Sequence, residues 1–367
     1  MGREVPILNY PQAETARFLM VLKTWYFGKT NLDAEQTIRE NARGARQFHV
    51  QQQVPAKSSN DTLQNLGFRM HWRRAAQLVT MASILCLSHI APGAQLPSMP
   101  PADLVRKTVQ NEVKASDGES VRHMFLSRKE TAHGSQTKLY CETSDAMAGM
   151  AIANDDKPLT PEQRQAEETR LRELANSPEE LRKKRLREKE DADRVGRIVR
   201  AMPDAFLYEY AGTEPGKAGL GKPGSELIRL KFRPNPNYSP PTRTEQVLVG
   251  MQGEMLIDAN ADRIARIDGR LFRDVGFGWG ILGHLDKDGR FLVEQGDVGD
   301  GSWDIHTMSL ALTGKILFFK KIDIQSTERL SNFHPVPRDL TFAQGVELLK
   351  KQESTLAEDV RGVGIHK

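Results

Sequence analysis

Val275-Gly276-Phe277-Gly278-Trp279-Gly280-Ile281 alternates large apolar side chains with glycine. Successive side chains of a strand point to opposite faces, so an extended reading puts all the bulk on one side and bare backbone on the other. A strand with a glycine face curves strongly and lets another element approach its backbone. The fold this predicts is a curved sheet wrapped around helices or around an apolar ligand. Its apolar face is then either ordinary core, packed against amphipathic helices, or the wall of a lipid-sized cavity.

The flanking sequence extends the sheet in both directions. Upstream, residues 206–210 and 226–232 read as strands separated by a Gly/Pro-rich connection over 212–224, and a loop over 234–241 leads to a short helix near 244–251. Strands follow over 254–258, 263–272, 275–282, 290–295, 303–312 and 315–327, divided by turns such as Asp288-Gly289 and Thr313-Gly314. That is an antiparallel meander of at least six strands. Ile316-Leu317-Phe318-Phe319 is apolar on both faces and reads as buried on both sides. Residues 343–356 read as a peripheral helix, with a disordered tail beyond it.

Before the meander, residues 102–114 carry Leu104, Val105, Val109 and Val113 near helical spacing. Residues 123–128 and 137–142 read as hairpin strands around His133-Gly134-Ser135. A charged helical insertion then occupies residues 157–202. Thr160-Pro161-Glu162-Gln163 has the form of a capping box with proline at the first helical position, and Ser177-Pro178-Glu179-Glu180 repeats the device. Residues 157–200 hold 13 basic and 10 acidic side chains, and acids flank the basic run Arg182-Lys183-Lys184-Arg185, so the run reads as a solvated helix face. The fold class is therefore α+β: a curved antiparallel sheet packed on helices, with a long charged helical insertion.

The chain has 367 residues and a formal charge of +4, and the charge is unevenly placed. Met70-His71-Trp72-Arg73-Arg74 precedes a short apolar run, residues 75–87, and then the small residues Ala91-Pro92-Gly93-Ala94. A basic start, a short apolar stretch and a small-residue exit have the form of a cleaved secretory signal. The run falls short of the about 20 apolar residues that span a bilayer. On this reading residues 1–69 are a largely disordered upstream extension, 70–94 the signal, 95–340 the folded domain and 341–367 a C-terminal helix and tail; the location expected is the periplasm. Residues 1–94 carry a net +5 and residues 95–367 a net −1, so the mild basic excess does not argue for nucleic acid. Cys141 is the one cysteine of residues 95–367 and is expected to be buried.

Motifs for chemistry mostly reduce to structure. Gly219-Leu220-Gly221-Lys222-Pro223-Gly224 matches a dinucleotide fingerprint in letters, but Pro223 and a following strand make it a β connection. Asp258-Ala259-Asn260-Ala261-Asp262 begins like a calcium loop, yet Arg263 stands where the glycine is required and Gly269 where the glutamate is, so a turn is the better reading. The histidines at 123, 133, 284, 306, 334 and 366 lack ligand spacing and read as packing or surface residues. No catalytic residue, metal or cofactor is expected, and the chain does not read as an enzyme.

Taken together, the signal, the helix, the strand pair, the Thr160-Pro161-Glu162-Gln163 insertion, Pro203-Asp204-Ala205-Phe206, Gly253-Glu254-Met255-Leu256-Ile257-Asp258 and Gly314-Lys315-Ile316-Leu317-Phe318-Phe319-Lys320-Lys321 resemble envelope proteins of Acidobacteria-like bacteria. Those are described as similar to outer-membrane lipoprotein-sorting proteins, the periplasmic carrier and receptor LolA/LolB. The resemblance covers roughly residues 102–336, and the charged insertion departs from the carrier pattern. It implies an unclosed β-barrel whose helices lid a cavity for acyl chains, with Val275, Phe277, Trp279, Ile281 and Phe318 at the cavity wall or rim. It further implies lipid or lipoprotein acyl chains as cargo, an outer-membrane protein as delivery partner and transient membrane contact. An envelope stress sensor or scaffold that binds proteins through the same sheet is the alternative function.

Overall fold

A computed structural model describes residues 98–117, 121–277, 283–299, 301–316 and 320–363. The extension and signal expected over residues 1–94 lie outside them, as do Trp279, Ile281 and Phe318. The alternation of apolar and charged residues builds one antiparallel sheet of thirteen strands. These are β1 (Arg122–Thr131), β2 (Gly134–Cys141), β3 (Ala148–Asn154), β4 (Lys157–Pro158), β5 (Phe206–Pro215), β6 (Glu226–Pro234), β7 (Met251–Asp258), β8 (Arg263–Leu271), β9 (Val275–Phe277), β10 (Gly283–Leu285), β11 (Arg290–Asp297), β12 (Trp303–Ile316) and β13 (Lys320–Val336). Their order is β4-β3-β2-β1-β13-β12-β11-β8-β7-β6-β5, with the β9-β10 hairpin branching from β12. The ends of this path, β4 and β5, do not pair with each other, so the sheet is open. The α+β fold class read from the sequence holds.

Among the described residues four helices cover the sheet: α1 (Pro101–Asp117), α2 (Pro161–Ala175), α3 (Pro178–Ala205) and α4 (Phe342–Val363). A 3-10 turn, Glu245–Gly250, fills the position of the short helix expected before β7. Because side chains alternate along a strand, β1 shows that both faces are used. Met124 and Leu126 join a cluster with Leu139, Cys141 and Met150, the α2 residue Leu171, and Phe342, Val346 and Leu349 of α4. Phe125, between them, faces the other way and packs with Val293, Ile305, Met308 and Leu330. Leu310 and Leu312 continue the Met308 side of β12 into the largest cluster, where α1 and the end of α3 lie over β6, β7 and β8. The helix α3 thus starts with Leu181 against the α2/α4 cluster and ends with Ile198, Val199 and Met202 in the α1 cluster. Its 28 residues span about 42 Å.

Between those ends the insertion passes the edge of β3. Strand β4 pairs only with Ala153 and Asn154, which leaves the rest of that edge open. Glu167 accepts from the Ala151 N–H at 2.8 Å, Arg170 donates to the Gly149 carbonyl at 3.0 Å, and Glu188 accepts from the Met147 N–H at 3.2 Å. Charged side chains therefore stand in for the missing strand and block edge-to-edge pairing. Part of the insertion's charge is structural, beyond the solvated face expected of it. Its first cap is as read: Thr160 and Gln163 exchange side-chain and backbone hydrogen bonds. Ser177 makes no side-chain cap, so only Pro178 of the second device operates.

Several expectations are corrected. Of the strand expected over 275–282, Val275–Phe277 forms β9; β10 begins past that span and pairs back on it, Gly283 with Phe277 and Leu285 with Val275. Thr313-Gly314 is no turn but lies inside β12. A Cβ on Gly314 would sit 2.3 Å from the His284 carbonyl oxygen, so the glycine serves the close approach of β10. Strands β3 and β4 were not anticipated, since Ala148-Gly149-Met150-Ala151-Ile152-Ala153-Asn154 has little β propensity. Their signal was the turn, where Asp155 and Asp156 have φ of 49° and 58°, the left-handed pair a two-residue hairpin requires. The C-terminal helix is not peripheral: Phe342, Val346 and Leu349 are buried. Cys141 is buried as expected, and burial pushes its thiol up to about 12.

The two discarded motifs meet in space. Asp258, buried at the end of β7, accepts from the N–H groups of Asn260 and Ala261 at 3.0 Å, closing the turn into β8. Its other oxygen accepts from the Lys222 N–H at 3.0 Å and from the Ser225 hydroxyl, tying down the glycine-rich connection. Burial opposes ionisation, but Ser225 and the three N–H donors outweigh it and hold this carboxyl below its ordinary range.

Two consequences are measurable by urea unfolding. Glu167→Ala removes the acceptor for Ala151 and the partner of Arg170, and should lower stability by about 1.5–3 kcal/mol with a rise in self-association. An unchanged midpoint would contradict the edge role. Asp258→Asn should destabilise by a similar margin at pH 7. Because its folded pKa is depressed below the unfolded value of about 3.9, the wild-type advantage is complete above that pH and is lost as pH falls through the folded pKa. A gap of the same size at pH 7 and pH 2 would contradict the carboxylate's role.

Candidate functional site

Where α1 and α3 cross the inner face of the sheet, their side chains do not fill the space, and a cavity of about 120 Å³ remains. The floor is apolar: Ile264 and Ile267 of β8, Val293 of β11, and Trp303 and Ile305 of β12. The roof is Val113 of α1 with Ala192, Val195, Gly196 and Val199 of α3. Ala192 and Gly196 are one helical turn apart, so the surface of α3 is cut away just where it faces the sheet. Trp303 is fixed by its Nε1–H, which donates to the Ile264 carbonyl at 3.3 Å.

The polar groups gather at the rim. Glu112 and Arg263 form an ion pair of 3.0 Å with each side chain only 14% exposed. Glu112 also accepts from the Ile264 N–H at 2.7 Å and the Gln295 amide at 3.2 Å, and the Arg263 guanidinium lies 5.6 Å from the Trp303 ring centroid. This network pins α1 to β8, and removing either charge would leave the other poorly solvated. Asp193 pairs with Lys189 at 2.9 Å. Asp304, buried, accepts from the Ile305 N–H at 2.7 Å. Arg200 completes the rim with its guanidinium folded over Gly196.

The lining's carboxylates are those of Glu112, Asp193 and Asp304. Its one hydroxyl, Ser116, is spent on the Val113 carbonyl at 2.7 Å. No histidine lines the cavity, and among the described residues no group of three or more His, Cys, Asp or Glu side chains could hold a metal. His123 and His306 both set their rings edge-on to Phe333, at 6.2 and 5.3 Å between centroids, which is the packing role expected of them. Burial lowers the pKa of His306.

Of the sequence-derived site residues, Val275 alone has a described side chain. Val275 is buried in the largest cluster but does not line this cavity; it packs so closely on the 3-10 turn that a Cβ on Gly250 would lie 2.2 Å from its Cγ2. Phe277 is placed by its backbone pairing to Gly283. The Phe277 side chain, Trp279, Ile281 and Phe318 lie outside the described residues. Sequence reasoning missed Trp303, Ile264 and Ile267, whose signal was ordinary strand alternation. It also missed Ala192 and Gly196, whose signal was two small residues a turn apart on an otherwise long-chained helix.

No family profile matches this sequence, and no curated protein matches it. Among solved structures, a DUF1329 family protein from Desulfovibrio piger ATCC 29098 aligns over 68% of this chain and 97% of its own, at 10% identity and a TM-score of 0.24. A superposition of that quality carries no argument about function.

Proposed function

We propose that this chain is a non-catalytic binding protein for acyl chains in the cell envelope, with the cavity between α1, α3 and the sheet as the place where a chain enters. The observation that carries the reading is an apolar cavity, roofed by two helices and open at its rim, over the inner face of an open sheet. The signal-like segment before residue 95 supports a periplasmic location. Cargo would be a lipid or the acyl chains of a lipoprotein, passed to an outer-membrane partner during transient contact with the membrane.

The cavity's size sets a condition on this function. At about 120 Å³ it is smaller than the ~150 Å³ that admits benzene and the ~300 Å³ at which ligand pockets begin. Counting ~30 Å³ for each group, it holds about four methylenes. Those contribute about 3 kcal/mol at ~0.8 kcal/mol each, far from the ~8 kcal/mol of micromolar binding. Burying the rest of a longer chain therefore means lifting α1 and α3 from the sheet. On the outside, Arg106 of α1 pairs with Asp204 of α3 at 3.1 Å and Lys107 with the half-buried Asp262 at 2.6 Å; these are weak ties beside the Glu112–Arg263 network and the buried Leu104, Val105 and Val109, which hold α1 on the sheet. The helices then act as a lid that opens only where the chain replaces those contacts.

Displacement of a fluorescent fatty acid by saturated acids of increasing length tests this. Affinity should keep rising beyond about four methylenes, by about fourfold per methylene, and Ala192→Trp, which fills the roof, should reduce it more than tenfold while the far-UV spectrum is retained. No uptake at any length, or an affinity that stops rising after about four methylenes, would overturn the proposal.

A further inference from the structure

Three carboxylates, Glu112, Asp193 and Asp304, and two guanidiniums, Arg263 and Arg200, line the cavity. Glu112 is committed to Arg263 and Asp193 to Lys189, while Asp304 is turned to the Ile305 N–H. Arg200 lines the same cavity, is exposed, and makes no ion pair with a carboxylate among the described residues. Its position is held by what α3 lacks at residue 196. A Cβ on Gly196 would stand 2.8 Å from Arg200 Nη2, 3.2 Å from Cζ and 3.3 Å from Nη1, so the guanidinium lies flat on the glycine. The result is an open planar cation beside an apolar entrance.

We infer that Arg200 is a head-group site, and that the ligand is a single-chain amphiphile with an oxyanion head, carboxylate or phosphate monoester, held by the guanidinium while its chain enters between Val199 and the floor of the cavity. This inference rests on the acyl-chain reading and narrows it to anionic chains. The guanidinium matches either head as a two-pronged donor. A neutral ester or alcohol of the same length gains the apolar contacts alone. Because Gly196 supplies the seat, the site depends on a residue that itself makes no contact with the head.

Three probes of equal chain length decide the matter at pH 7.5: a fatty acid, an alkyl phosphate and the fatty acid methyl ester, each titrated against the full protein by displacement of a fluorescent fatty acid ester. At least one anionic probe should bind about tenfold more tightly than the ester, and which one does so identifies the head. Arg200→Gln should erase that preference and leave ester affinity within twofold; Gly196→Ala, which keeps the charge but fills its seat, should weaken it. Ester binding equal to or tighter than both anions in the wild type would overturn the head-group site while leaving the chain-binding function standing. Loss of ester and anion affinity together in Arg200→Gln would overturn it as well, by showing a role in structure alone. Absence of binding by all three probes would overturn both readings.

Discussion

The whole structure answers one constraint: a thirteen-strand sheet that does not close has two faces to bury and two edges to protect. One helix meets most of that demand. At its start α3 packs beside α2 and α4, at its middle Glu188 takes an N–H from the β3 edge, and at its end it covers the opposite face with α1. An amphipathic helix serving two faces cannot be apolar along its whole length, and its long charged middle follows from that geometry. The same demand explains the gap over Ile264 and Val293. A helix committed at both ends lies across the sheet without following its surface, and Ala192 and Gly196 leave the intervening space unfilled.

The charged and glycine-rich sequences carry different physical meaning once placed. Asp258 and the glycine connection resemble parts of a calcium loop and of a dinucleotide motif, yet each satisfies the other. A buried carboxylate surrounded by N–H and hydroxyl donors needs no metal to be stable. By contrast, the ion pair of Glu112 and Arg263 sits at the cavity rim, where its desolvation is supported by Ile264, Gln295 and Trp303. It fixes α1 on the sheet without filling the space beneath it.

Strand alternation, the Thr160 capping box and the helical stripe on α1 were legible in the sequence because each depends on neighbours within one element. The antiparallel strands and the helices beside them were legible for the same reason. What was not legible depends on distant partners. Gly314 looks like a turn residue, but its reason is the His284 carbonyl across β10. Ala148 to Asn154 forms a strand because β2 and the insertion's side chains pair with it, against its own propensity. The candidate site shows the same division. Val275, expected at a cavity wall or rim, is buried, but its neighbour is the 3-10 turn and it does not line this cavity. Trp303 and Gly196 acquire meaning only when β12 and α3 face each other.

A role that buries a whole acyl chain needs the lid to move, since the cavity holds only a fraction of one. The free energy of displacing α1 and α3 must come from the chain that replaces them, methylene for methylene. The most direct measurement is the distance between spin labels at Arg187→Cys on α3 and Asp268→Cys on the outer face of β8, with and without bound long-chain fatty acid. The account predicts a distribution that shifts to longer distance when the chain binds. A distribution left unchanged by a bound chain would contradict it.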